Sequence, residues 1–223
     1  MDRTVAVISG GMDSVVLAHH LHAERHRLSL LSIDYGQRHR KEHEFARRTA
    51  RRLNTPHEVT DLHSIGTLLP GNALTDSEVG VPDHGGEVSG VVNVVPNRNV
   101  ILLSVAFAKA AAERADNVAI GTVAGDADTG PDCSAEFLAA FNAMERVACA
   151  GFAPENLAVI APFIRMPKHK VILLGEALGV PWQETWSCFR GGDEQCGVCA
   201  TCYDRRTSFE KANVQDPTVY ARD

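Results

Sequence analysis

No stretch of this chain stays apolar for the ~18 residues that a bilayer crossing needs, and no basic segment followed by an apolar one opens it. A membrane protein and a secreted precursor are therefore not expected, and a cytoplasmic setting is. Positive charge is also in short supply, with 22 Lys and Arg against 28 Asp and Glu and a net charge of -6. Broad binding to nucleic acid needs a basic surface, so direct contact with nucleic acid is not expected. A nucleotide or a free nucleobase stays open as a ligand. The basic run of Arg47, Arg48, Arg51 and Arg52 reads as the solvated face of a helix. Internal repeats and low-complexity tracts are missing. So are the Gly-x-x-x-x-Gly-Lys-Ser/Thr phosphate loop and the dinucleotide fingerprint.

What is present suits one core with an appendage: 223 residues, 44% hydrophobic and 22% charged. Short β-rich runs alternate with helical stretches, which predicts an α/β fold with a doubly wound parallel sheet. Strands are expected at Thr4–Ile8, Leu28–Ile33, His57–Thr60, Asn117–Gly121 and Leu157–Ile160. Helices are expected at Ser14–Arg25, Arg40–Leu53, Val100–Arg114, Ser134–Ala148 and Lys168–Leu178, the last closed by Gly179. Residues 66–93, rich in Gly, Pro and polar residues, read as a mobile or functional loop. The division expected is an α/β domain over 1–180 and a C-terminal zinc-binding segment over 181–223 packed on it, the metal pinning an otherwise irregular, Gly-rich tail to the domain. In the helix from Ser134, Phe137, Leu138, Phe141 and Met144 form an apolar stripe that reads as core.

Two local patterns carry chemistry. Ser9-Gly10-Gly11-Met12-Asp13-Ser14 joins the first strand to the first helix. Glycines there allow a tight turn and close approach to a ligand, and a helix start offers unpaired N–H groups to an anion. Ser9 and Ser14 add hydroxyls, and Asp13 makes sense beside a polyanion when it handles a cation such as Mg²⁺. Cys188, Cys196, Cys199 and Cys202 form the second pattern. Four thiolates at that spacing suit a tetrahedral, closed and therefore structural Zn²⁺, with a redox dithiol or an iron–sulfur cluster as alternatives. Of the two remaining cysteines, Cys149 reads as a buried small apolar residue. Cys133 sits at a helix start, where a thiol pKa falls.

The first pattern resembles the Ser-Gly-Gly-x-Asp-Ser loop of the N-type ATP pyrophosphatases, which have an adenine nucleotide alpha hydrolase-like fold. A wider resemblance runs from Val5 to about Pro217. It takes in Asp34-Tyr35-Gly36-Gln37-Arg38-His39, Val95-Pro96-Asn97-Arg98-Asn99, Pro131-Asp132-Cys133 with Glu136 and Phe137, and Pro162 with Lys168. It ends with Thr185, Ser187-Cys188, the cysteine knuckle, Arg205 and Phe209. Together these are similar to the 7-cyano-7-deazaguanine synthase family of the queuosine pathway.

The resemblance implies an ATP-dependent C–N ligase. It adenylates the carboxylate of 7-carboxy-7-deazaguanine, forms the amide with ammonia, and then forms the nitrile, releasing AMP- or ADP-type products with phosphate or pyrophosphate. It also implies a homodimer. Ser9, Asp13, Ser14, Lys168 and Arg98 become the catalytic candidates. Ser9, Gly10, Gly11, Met12, Asp13, Ser14, Asp34 and Arg38 become the ATP-binding ones, and Asn97, Arg98, Asp132, Cys133 and Phe137 the substrate-binding ones. In this scheme Asp132 accepts from the guanine-like N1–H and amino group. The chain departs from the family pattern at Asn97, where glycine is usual, and asparagine tolerates a positive φ. It also departs at Asp128-Thr129-Gly130, in place of Ser-Gly-Tyr, and at Ser208, in place of glycine. Competing readings are a variant that stops at the amide or joins the deazapurine to an amine on a protein or nucleic acid, as in antiviral defence. Another adenylating enzyme, such as a tRNA thiolase, and a nucleotide-binding module without turnover complete the set.

Overall fold

The computed structural model describes residues 1–86 and 91–222. Five parallel strands, β1 (Arg3–Val7), β2 (Arg27–Asp34), β3 (His57–Asp61), β4 (Asn117–Ala119) and β5 (Ala158–Ile160), form one sheet in the order β3-β2-β1-β4-β5. β1 is central, pairing with β2 (Val5 opposite Ser29) and with β4 (Val5 opposite Val118). Thr4, Val5 and Ala6 are almost completely buried, which is why β1 reads as an uninterrupted apolar run instead of an alternating one. The chain leaves β1 for β2 on one side and returns to β4 on the other. That reversal opens a crevice beyond the C-terminal ends of β1 and β4.

The helices are α1 (Met12–Ala23), α2 (Glu42–Arg52), α3 (Arg98–Ala112), α4 (Ala135–Ala148), α5 (Lys168–Ala177) and α6 (Ala200–Ala212). One core packs α1, α5 and α6 around Val16, Leu17, Val171, Ile172 and Phe209. A second packs α3 and α4 around Val5, Leu103, Phe107, Leu138 and Phe141. The sheet thus lies between two helical layers. Of the expected stripe, Leu138 and Phe141 are core, while Met144 is exposed. Arg47, Arg51 and Arg52 are exposed on α2, as its polar face requires. Among the described residues no helix is long and apolar enough to cross a membrane.

The C-terminal segment is not irregular, contrary to the sequence reading. α6 supplies thirteen helical residues, and the tail shares the α1–α5 core through Trp182, Phe209 and Ala212. Its anchor is Arg205, fully buried. The guanidinium donates to Asp216 at 3.0–3.1 Å, to the Thr185 hydroxyl at 2.6 Å and to the Trp182 carbonyl at 3.1 Å. A buried guanidinium with its donors matched in this way holds a geometry that α6 alone would not specify.

The expected loop also proves to be tied down over its described part, residues 87–90 lying outside it. Arg38 donates to the carbonyls of Ala73, Asp76 and Val79 at 3.1, 2.8 and 2.7 Å. Further along, Asp83 bridges to Cys199, and the His84 N–H donates to the Val198 carbonyl at 2.7 Å. The loop therefore closes over the cysteine knuckle.

Candidate active site

At the crevice lies a cavity of about 280 Å³. One end is made by the loop after β1. Gly10 takes φ +97°, and a Cβ there would lie 2.2 Å from the Glu42 carbonyl, so only glycine lets α2 start against the loop. The Gly11 N–H donates to Ser9 Oγ at 3.1 Å, while Ser14 Oγ accepts from the Ser9 and Gly10 N–H groups at 3.3 Å. Gly11 caps α1 without a side-chain bond. No side chain caps the first N–H groups of that helix, and Gly11, Met12, Asp13 and Ser14 line the cavity.

Lys168, the first residue of α5, stands over this loop. Its Nζ is 3.4 Å from Asp13 Oδ2 and hydrogen-bonds Asp204 Oδ2 on α6. Burial alone would lower the lysine pKa, but the carboxylates of Asp13, Asp204 and Asp126 hold it well above its usual range. Burial raises Asp13, Lys168 opposes, and Asp126 and Asp204 push it up further. A cation is disfavoured at a helix start, and these carboxylates offset that cost; two of them, Asp126 and Asp204, are not among the sequence candidates. Asp13 Oδ1 is shielded from solvent and has no hydrogen-bond partner among the described residues.

The other end is built from four elements. Tyr35 follows β2, His39, Glu42 and His43 come from the start of α2, Arg98 opens α3, and Trp186 and Phe189 come from the C-terminal segment. Arg98 hydrogen-bonds Tyr35; burial raises the Tyr35 hydroxyl with Arg98 opposing, and Tyr35 holds the Arg98 guanidinium up against burial. Glu42 Oε1 accepts from Gln37 Nε2 at 3.2 Å, and Glu42 Oε2 lies 3.6 Å from His39 Nε2. Burial pushes the Glu42 carboxyl up to about 8, against Gln37 and Arg98. Burial also lowers His39 to about 3, with Arg98 and His43 acting the same way. The Trp186 backbone N–H donates to the Gly10 carbonyl at 2.9 Å, tying this end to the loop after β1.

Ser9, Gly11, Met12, Asp13, Ser14, Lys168, Arg98 and Cys133 all line this one cavity. Other candidates stand elsewhere. The Arg38 guanidinium is taken up by the three loop carbonyls. Asp34 pairs with Arg40 and accepts from the Gly36 N–H at 3.0 Å. Asp132 Oδ2 accepts from the Asn99 N–H at 2.9 Å, acting at the start of α3. Phe137 packs on Phe141, with ring centroids 5.9 Å apart. Asn97 holds φ +60° as the residue before α3, the left-handed conformation that asparagine accepts in place of glycine. Two cysteine readings need correction. The Cys133 thiol is not lowered but pushed up to about 11, because burial and the nearby Asp126 and Asp132 outweigh Arg98. Cys149 is half-buried at the end of α4, and its thiol donates to Glu145.

Glu42, His39 and His43 escaped the sequence reading because α2 looks like a solvated helix. The available signal was that Glu42 and His43 share the buried face with Phe45, Ala46, Thr49 and Ala50.

The four cysteines converge behind the cavity. Their sulfurs lie within 4.8 Å of one another, all buried, and none is in a disulfide. Cys196 Sγ and Cys202 Sγ are 3.9 Å apart. Backbone N–H groups of Cys196 and Cys199 donate to Cys188 Sγ and Cys196 Sγ at 3.3 Å. The cluster can hold a metal ion.

The family model described as "Queuosine biosynthesis protein QueC" matches residues 3–213. The chain belongs to the QueC family. Among curated QueC-type relatives, the 7-cyano-7-deazaguanine synthase of Rhizobium johnstonii is 48% identical over 219 residues, 98% of this chain and 92% of that protein. The enzyme of the same name from Ruegeria pomeroyi is 48% identical over 220 residues, 98% and 94% of the two chains. At the level of fold, the NMN synthetase of Francisella tularensis superposes on the QueC-family chain with a TM-score of 0.50. That match covers 99% of this chain and 79% of the other at 17% identity.

Proposed function

We propose that this chain is a 7-cyano-7-deazaguanine synthase that works by two successive adenylations. The observation that carries the reading is a single cavity with a phosphate loop and a lysine–carboxylate cluster at one end and flat aromatic walls at the other. That arrangement suits a reaction joining the phosphates of ATP to a planar base, and it agrees with the activity named for relatives sharing nearly the whole chain.

The steps follow from the chemistry. The carboxylate oxygen of 7-carboxy-7-deazaguanine attacks the α-phosphorus of ATP, and pyrophosphate leaves. Ammonia adds to the acyl carbon, AMP departs, and a proton is lost to give the amide. The amide oxygen then attacks the α-phosphorus of a second ATP and expels a second pyrophosphate, and loss of AMP with the two remaining N–H protons leaves the nitrile. Covalent catalysis by a side chain is not needed. What the site must do is position two ligands and meet the charge that develops on the phosphates. The loop N–H groups, the hydroxyls of Ser9 and Ser14, and Lys168 serve the departing pyrophosphate. Arg98, turned into the cavity beside Tyr35, serves the substrate carboxylate.

A divalent cation fits the loop end. Three carboxylates outweigh one ammonium, and Asp13 Oδ1 is a shielded oxygen in need of a partner. Mg²⁺ held by Asp13 would neutralise phosphate charge. Zn²⁺ fits the four cysteines, since ~2.3 Å zinc–sulfur bonds place tetrahedral sulfurs about 3.8 Å apart, close to the Cys196–Cys202 separation. With no open coordination position it would be structural, one ion per chain.

The test is mass spectrometry of products from zinc-loaded protein given Mg-ATP, 7-carboxy-7-deazaguanine and ammonium. Nitrile with AMP and pyrophosphate is the expected result. Accumulation of the amide alone would replace the synthase reading with the amide-forming or conjugating variant. Absence of turnover while ATP still binds would overturn the substrate assignment.

A further inference from the structure

Asp132, expected to read the guanine-like edge, is engaged at the start of α3 and does not line the cavity. Four carboxylates do line it: Asp13, Glu42, Asp126 and Asp204. Three of them surround Lys168 at the phosphate end. Glu42 alone stands at the end that Tyr35, Trp186 and Phe189 line. Its residue is 8% exposed, and it is short of donors. One oxygen accepts from Gln37, while the other has His39 Nε2 at 3.6 Å, too far for a hydrogen bond. An ionised carboxylate offers about four acceptor positions, and leaving them empty in a buried site is costly.

We propose that Glu42 accepts hydrogen bonds from the N1–H and 2-amino group of the deazapurine and so selects a guanine-like base. This rests on the reading that the cavity holds a 7-deazaguanine. The two parallel donors of that edge match the two carboxylate oxygens, as an adenine-like edge with an acceptor at N1 does not. The reader's distance from the phosphates is set by the contact of the Glu42 backbone with Gly10. Protonation supports the same role. The groups facing the carboxyl are Gln37, His39 and His43 from around α2, Asp34 at the end of β2, Tyr35 just after it, and Arg98 from α3. With burial holding the free acid up to about 8, Glu42 carries a proton at neutral pH. Two N–H donors favour the carboxylate, so a guanine-like ligand expels that proton on binding.

The experiment measures, by calorimetry at pH 7 in buffers of different ionisation enthalpy, binding of 7-cyano-7-deazaguanine and of its analogue lacking the 2-amino group. Full-length wild type, Glu42→Gln and Glu42→Asp are compared, with ATP affinity as the check on folding. Wild type should prefer the amino-bearing base by about tenfold to a hundredfold and release a proton on binding it. Glu42→Gln should lose about the same factor, show no preference between the bases, release no proton and keep its ATP affinity. Equal binding of the two bases by wild type, or a preference kept in Glu42→Gln, would overturn the assignment and leave the synthase reading standing. If wild type binds ATP and neither base, both readings fall. Should Glu42→Gln fail to bind ATP, the wild-type preference and proton count decide the matter, with Glu42→Asp as the second variant.

Discussion

The two ends of the cavity are built in opposite ways. At the phosphate end, six consecutive residues supply the backbone N–H groups and hydroxyls, and one lysine faces carboxylates from three places in the chain. At the aromatic end, side chains from β2, α2, α3 and the C-terminal segment meet, and no two of those segments are neighbours in sequence except β2 and α2. A site made by local backbone geometry is robust to the rest of the fold. One assembled from distant segments depends on every contact that holds those segments in place. Both ends nevertheless lean on the tail, through Asp204 at one and Trp186 at the other.

The comparison breaks most severely when the cysteine knuckle is opened. Stripping metal with a chelator, or Cys199→Ser, should lower the melting temperature by about 10 °C or more, because a structural metal contributes folding free energy directly. Binding of ATP and of the base should fall together. If ATP binding survives intact, the two ends are less tied through the tail than their contacts indicate.

Lys168→Met should separate the ends. It removes the ammonium that faces Asp13, Asp126 and Asp204, and pyrophosphate release should slow by roughly a hundredfold to a thousandfold. The affinity for 7-cyano-7-deazaguanine should stay within about threefold, well under the tenfold that 1.4 kcal/mol represents. A parallel loss of base affinity, measured by calorimetry, would show that the ends are not independent.

The smallest effect concerns stability against pH. Glu42 is raised from an ordinary 4.5 to about 8 by burial. Its contribution is therefore full below 4.5 and is lost as pH rises towards 8, because the unfolded chain gives up this proton first. His39 and His57 are lowered, so their contributions change below about 6.5 and leave the neutral range alone. Between pH 6.5 and 8, urea unfolding should show wild type losing roughly 1–2 kcal/mol more than Glu42→Gln. Equal slopes would mean that Glu42 is ionised in the free fold.

The sheet, its five strands and the first five helices could be read from alternation and apolar runs to within a few residues, because each is a local pattern with its own period. The phosphate loop and the cysteine knuckle were legible for the same reason. What the sequence did not show has a different cause. In the fold the Arg38 and Asp132 side chains are engaged by neighbouring backbone, and Phe137 packs on Phe141 as its place in the apolar stripe predicts. Glu42 looks like one of many charges on a polar helix, and α6 is hidden by a short run of cysteines and polar residues with little apolar periodicity.

By itself the sequence determined the layered α/β architecture, the glycine-bearing turn into α1 and a four-cysteine cluster, all of which need only residues close together along the chain. Which polar groups face the cavity was decided by tertiary structure. Burial, donor supply and pKa depend on what the folded chain places opposite each side chain, and for Glu42 that is a half-satisfied carboxyl between aromatic walls.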